Sequence, residues 1–190
     1  IHVPEILAEE YAGTALARVL AEQHLVRCGA SAEIGDSPLP GALFIDYQLP
    51  VCPPMVSIII LVQDQLNRIQ SCLESLLEKT NYLNFEILLI YQNHTELPVQ
   101  TFLTNLSDRD SHVQVLHYPQ KSNDTAIRNF AARQAQGEFL LLLNDNTIVL
   151  QENWLARLTA IGVCTDAGAV GCRVVSFDQR LKHAGLILGI

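Results

Sequence analysis

The sequence lacks any apolar run long enough to cross a bilayer. Its longest, Val56–Val62 and Phe139–Leu143, fall well short of the roughly 20 residues a spanning helix needs. A secretory leader is not expected either, since His2, Pro4 and Glu5 stand where a basic start and an apolar stretch would be. With no initiating Met, the chain is expected to be a piece excised from something longer. Cysteine is sparse and unpatterned. Cys28, Cys52, Cys72, Cys164 and Cys172 are odd in number and show no CxxC spacing. That argues against zinc sites and disulfide frameworks and for reduced thiols in a cytosolic setting, each read as a small buried apolar residue. Basic residues are also in deficit, 12 against 20 acidic, for a formal charge of −8. An acidic surface repels phosphate backbones, so nucleic acid is excluded as a partner of the whole surface, although a small phosphate group needs only a few local donors. Several catalytic signatures are missing too. No GxGxxG follows the first strong strand, and GxxxxGKS/T, GxSxG and HExxH are absent. The dinucleotide, P-loop, α/β-hydrolase and zincin readings therefore have no support.

What is present is core-forming material. Hydrophobic residues make up 49% of the 190, which suits one medium domain with an appendage. The chain divides near Cys52-Pro53-Pro54. Residues 1–53 read as a connector that packs on the main domain, residues 54–190. The connector holds a helix over Thr14–Arg27 with Leu16, Val19, Leu20 and Gln23 on one face, a stop at Gly29, turn chemistry over Asp36–Gly41 and a strand over Ala42–Tyr47. From Pro54 to Ile190 strands and helices alternate. Strands are expected at Val56–Val62, Phe85–Tyr91, Val113–Tyr118, Phe139–Asn144 and Ala169–Ser176. Helices are expected from Leu66 to Leu77, over Val99–Leu106, over Asn123–Gln136 closed by Gly137, and around Trp154, Leu155 and Leu158. This alternation predicts an α/β fold, a doubly wound and mostly parallel sheet with its ligand at the carboxyl ends of the strands.

The informative loops are therefore those just after strands: Val62-Gln63-Asp64-Gln65, Tyr91-Gln92-Asn93-His94-Thr95, and Asn144-Asp145-Asn146-Thr147. The last sets a carboxylate and two amides at one strand end, all able to offer oxygen to a hard cation. The same residues suit an Asx-rich turn capping the next helix, and residue types alone favour the turn. His24, His112 and His117 read as surface or strand residues.

Taken in order, these segments resemble the family 2 glycosyltransferases. The resemblance rests on Pro54-Met55-Val56-Ser57-Ile58-Ile59-Ile60, Cys72-Leu73-Glu74-Ser75-Leu76-Leu77 and Asn84-Phe85-Glu86-Ile87-Leu88. It continues through Ala126-Ile127-Arg128-Asn129, Gly137-Glu138-Phe139-Leu140, Leu143-Asn144-Asp145-Asn146-Thr147, Asn153-Trp154-Leu155, Gly168-Ala169-Val170-Gly171 and His183-Ala184-Gly185. Pro38-Leu39-Pro40-Gly41 ahead of Tyr47-Gln48-Leu49-Pro50 is similar to the connector before a second transferase domain in tandem enzymes of polysaccharide and O-antigen assembly.

The resemblance implies an A-type glycosyltransferase fold and a nucleoside-diphosphate sugar as donor. It also implies a divalent cation, Mn or Mg, between the diphosphate and a DxD-like motif, where it stabilises charge on the leaving group. A glycan or lipid-linked acceptor, an adjacent transferase domain and a cytoplasmic place at the inner face of the plasma membrane are implied by the same likeness. Carried over by position, Val62 and Asp64 flank the nucleotide, Tyr91 and Gln92 lie at the base, and Asn123 and Asn129 approach the diphosphate. Asp145 and Asn146 fall at the metal motif and His183 at the sugar pocket. The sequence departs from the family at Tyr91, in place of a base-reading Asp, at Asn146, in place of a second metal-binding Asp, and at Leu61-Val62, in place of Pro-Thr. The general base is expected beyond Ile190, so these residues alone are expected to transfer no sugar. The alternative is a degenerate transferase domain serving as scaffold or binding module.

Overall fold

The computed structural model describes residues 14–37, 42–120, 122–163 and 167–183. Helix α1 (Thr14–Cys28) leads into an antiparallel pair, β1 (Ala32–Asp36) and β2 (Leu43–Tyr47). The chain continues through β3 (Val56–Leu61), α2 (Leu66–Lys79), β4 (Phe85–Gln92), α3 (Leu97–Ser107) and β5 (Val113–Tyr118). Next come α4 (Asp124–Ala132), β6 (Phe139–Asn144), α5 (Trp154–Gly162) and a short antiparallel pair, β7 (Val174–Val175) and β8 (Leu181–His183).

The β-branched run of β3 is buried along its whole length because it lies inside a parallel sheet of order β5-β4-β3-β6. Val56 stands opposite Phe85 on one side and Phe139 on the other. The chain winds outward from β3 through β4 to β5, then crosses back to β6 on the far side of β3. Right-handed crossovers in opposite directions put their helices on opposite faces. Ile69, Leu73 and Leu76 of α2, with Val99 and Leu103 of α3 and Leu155 of α5, pack against Ile58, Ile60 and Leu89. On the other face Ile127 and Ala131 of α4 cover Ile59, Leu61, Leu88 and Ile90. The strand order thus reverses between β3 and β6, where a crevice opens at the carboxyl ends.

A polar tie fixes the opposite end of the sheet. The Ser57 hydroxyl donates to Glu86 at 2.6 Å, the Gln136 N–H donates to the same carboxylate at 2.7 Å, and the Gly137 N–H donates to Ser57 Oγ at 2.8 Å.

Several sequence expectations are corrected. β6 is not buried throughout: it lies at the edge of the described sheet, and Leu140 and Leu142 are 49% and 57% exposed. α4 stops at Ala132, short of Gln136, and the chain turns to bring Gly137 against Ser57. Only Val174–Val175 of the expected 169–176 strand pairs. β1, in the segment read as a connector, pairs with β2; residues 38–41 between them lie outside the described residues. Gly29 does end α1, at φ +63° with Ala30 N–H bonded to Leu25 O. Yet Leu16, Val19 and Leu20 of that helix are about half exposed instead of forming a packed face. Among the described residues no helix is long and apolar enough to cross a membrane.

Candidate functional site

The crevice is built from the ends of β3, β4 and β6. Beyond β3, the Val62 N–H continues the ladder to Ile90 O at 2.8 Å. The next N–H, that of Gln63, turns instead to Asp145 Oδ2 at 2.9 Å. Asp145 is therefore buried, 6% exposed, and locks the loop after β6 to the end of β3. The turn behind it is closed by Thr147 N–H to Asn144 O, with the Cys72 thiol also directed at that carbonyl. This turn does not cap the next helix, whose N-cap residue is Asn153. Burial, partly offset by the Thr147 backbone and reinforced by the Asp145 charge, pushes the Cys72 thiol up to about 11.

At the end of β4 the backbone is fixed reciprocally. Gln92 N–H donates to Thr95 Oγ1 at 3.2 Å and Thr95 N–H to Gln92 O at 3.0 Å. Asp64 Oδ1 accepts the Glu96 N–H at 2.9 Å, joining the loop after β3 to the loop after β4. Between them lies a cavity of about 410 Å³, lined by Leu61 to Gln65 with Gln92, His94 and Asp124. A second, of about 160 Å³, lies over the β3–β6 crevice. Leu61, Gln63, Arg68, Asp124, Arg128 and Asn144 to Asn146 line it. Leu61, Gln63 and Asp124 belong to both, so the two form one cleft.

Of the residues singled out in the sequence, Val62, Asp64, Gln92, Asp145 and Asn146 come together in this cleft. Tyr91 does not. Strand alternation turns it to the α2 and α3 side, where it joins the core and its ring sits 5.0 Å from that of His117. Asn123 serves as the N-cap of α4, accepting the Ala126 N–H at 2.8 Å, and lines neither cavity. Asn129 is exposed on α4 and His183 exposed at the end of β8, and neither lines the cleft. Ala184 and Gly185 lie outside the described residues.

Sequence reading passed over Gln63, Arg68, His94, Asp124 and Arg128 as site residues. A signal existed for one pair: Asp124 and Arg128 are four apart at the start of α4, which places both on one helical face.

The donor set for a cation is thin. Asp145 brings one carboxylate with an oxygen already engaged by Gln63, and Asn144 Oδ1 is taken by Arg128 at 3.0 Å. Among the described residues no group of at least three His, Cys, Asp or Glu is placed to hold a metal ion. Such a set does not make a resident divalent site; a cation there would rely on oxygens brought by a ligand.

Residues 57–186 match the family model for glycosyl transferase family 2. The chain belongs to that family. It is 36% identical over 173 residues to an O-antigen biosynthesis protein, RfbC, of Myxococcus xanthus, covering 91% of this chain and 13% of that protein. It is 32% identical over 184 residues to protein y4gI of Sinorhizobium fredii, covering 96% of this chain and 20% of that one. The chain thus spans a fifth or less of these two relatives. Its fold matches that of the mannosyltransferase PcManGT from Pyrobaculum calidifontis, solved with GDP-Man and Mn2+, at a TM-score of 0.55 and 14% identity. That alignment covers 79% of this chain and 41% of the other. The family 2 transferase has the α/β architecture with a parallel sheet expected of it.

Proposed function

We propose that the cleft binds a nucleoside-diphosphate sugar. In the parent protein the domain would transfer that sugar, with inversion, to a growing polysaccharide or a lipid-linked glycan. Family membership supports the chemistry, and the Myxococcus relative supports O-antigen or related polysaccharide assembly. One observation carries the reading to particular residues: the cleft lies at the strand-order reversal between β3 and β6, where wound sheets hold their ligands.

In this reading the nucleoside occupies the larger cavity, flanked by Val62 and Asp64. Gln92 reads the base in place of Tyr91. Its Oε1 is buried without a hydrogen-bond partner among the described residues, so turning it onto a base N–H relieves an unsatisfied acceptor. Asp145 and Asn146 lie on the diphosphate side of the cleft, where any Mn2+ or Mg2+ would have to take most of its oxygens from the donor. Asn123 contributes by capping α4. Attack by the acceptor hydroxyl at the anomeric carbon needs a general base, for which none of these residues is proposed.

The single remaining carboxylate at the metal motif favours a second reading, a degenerate domain retained as a binding module. Calorimetric titration of the chain with UDP, GDP, ADP, CDP and dTDP separates the two. At least one is expected to bind. Gln92→Ala should weaken that binding about tenfold, or about 1.4 kcal/mol, whereas Tyr91→Phe should leave it unchanged. Silence from all the nucleotides would remove the donor-binding reading.

A further inference from the structure

Arg68 and Arg128 reach the small cavity from opposite faces of the sheet. Arg68 lies in the first turn of α2, whose apolar side packs with Ile58 and Ile60, and Arg128 lies on α4, which covers Ile59 and Leu61. They therefore flank the β3–β6 crevice like the two arms of a forceps. Arg128 is held in place by its bond to Asn144 Oδ1 at 3.0 Å, which uses only part of a planar fork of N–H donors. Among the described residues the Arg68 guanidinium has no hydrogen-bond or ion-pair partner. On a chain of net charge −8, this small cavity gathers two of the 12 basic side chains, and one of them is unpaired among the described residues.

We infer that Arg68 and Arg128 form a guanidinium clamp for the donor's diphosphate, so that a nucleoside diphosphate binds here without a divalent cation. This rests on the nucleotide-sugar reading above. The geometry favours it over a metal-led site on two counts. A dication at Asp145 would find one carboxylate already engaged by Gln63 and a second, that of Asp124, exposed to water, with two guanidinium groups in the same cavity to offset both. A diphosphate, by contrast, presents paired oxygens that match the bidentate spacing of guanidinium, in an environment where charge-assisted bonds are strong. Asp145 and Asp124 also line the cavity and oppose an anion. Asp145 turns one oxygen to Gln63 N–H and Asp124 is exposed to water, so the phosphates approach along the arginine side.

The test is titration of the full chain with inorganic pyrophosphate, and with whichever nucleoside diphosphate binds, in EDTA and in Mn2+. The expected result is a Kd in EDTA within about threefold of that in Mn2+. Arg68→Gln should weaken binding by about tenfold or more, with Arg68→Lys recovering part of the loss because it restores charge without the fork. Arg68 is exposed, so unchanged melting of both variants is expected and keeps the comparison on binding. Binding that appears only with Mn2+, or that is indifferent to Arg68→Gln, overturns the clamp while leaving the nucleotide-sugar reading intact. Absence of nucleotide binding in both conditions removes both.

Discussion

Single residues show where the sequence could and could not be read. The loop after β6 was legible because a polar triplet interrupts a strongly apolar run, and Asp145 is indeed drawn into the cleft. Tyr91 and Gln92 are neighbours on one strand, and period-two geometry allows only one of them to face the nucleotide side; the sequence alone does not tell which. Cys72 offers a test of how well the floor of the site is sealed. Its thiol is buried beneath the Asn144–Thr147 turn and titrates near 11, against 9.0 for an open thiol. Below 9 the thiol is protonated in both the folded and unfolded chain. Between 9 and 11 only the unfolded chain ionises, so stability falls as pH rises. At pH 10 the loss is about 1.4 kcal/mol. Urea unfolding at pH 8 and pH 10 should therefore show a larger alkaline drop in the native chain than in Cys72→Ala. Tyr82, also raised by burial, contributes equally to both proteins and cancels. Equal drops would mean that Cys72 is open to solvent.

At the scale of elements, the central strands were legible because β-branched runs of that length, buried on both faces, have few other homes. β6 is as apolar but built of Phe139 and four leucines; its half-exposed leucines follow from its place in the sheet order, which no local pattern encodes. α4 shows a similar limit. Its apolar spacing runs on towards Gln136, but the helix ends early so that Gly137 can enter the tie between Ser57 and Glu86. That glycine is required by proximity. A Cβ there would meet Ser57 N at 2.6 Å, Ser57 Oγ at 2.7 Å and Met55 O at 2.9 Å. Two of these atoms are backbone at the start of the central strand and cannot yield without moving it. Gly137→Ala should cost about 1–3 kcal/mol, seen as a lowered urea midpoint. Nucleotide affinity should be little changed, since the tie lies at the opposite end of the sheet from the cleft. A wild-type midpoint would show that the loop relaxes freely.

For the whole molecule, the question is which parts the cleft depends on. α1 is fastened to the β1–β2 pair through Arg18, which donates to Ile34 O at 2.6 Å and pairs with Asp36 at 2.7 Å. That pair meets the larger sheet's layer at α5, where Arg157 lies 5.0 Å from the Phe44 ring centroid and 3.8 Å from Asp46. Both contacts are partly exposed, and such cation–π and surface ion pairs contribute about 0–1 kcal/mol each. The anchoring of the main sheet begins only afterwards. Leu49 packs on the core, Tyr82 OH donates to Pro54 O, and Asn84 Nδ2 donates to Pro53 O at 3.0 Å. Among the described residues, none of the cleft's lining belongs to the first 48. Removing residues 1–48 should therefore leave a folded chain, less stable by about 1–2 kcal/mol, with nucleotide affinity within about twofold of the original. Urea unfolding and calorimetry on the shortened chain check both numbers. A shortened chain that is unfolded, or one that is folded but no longer binds, would show that the leading segment is integral to the transferase domain and that the boundary near Pro53 and Pro54 is only a feature of composition.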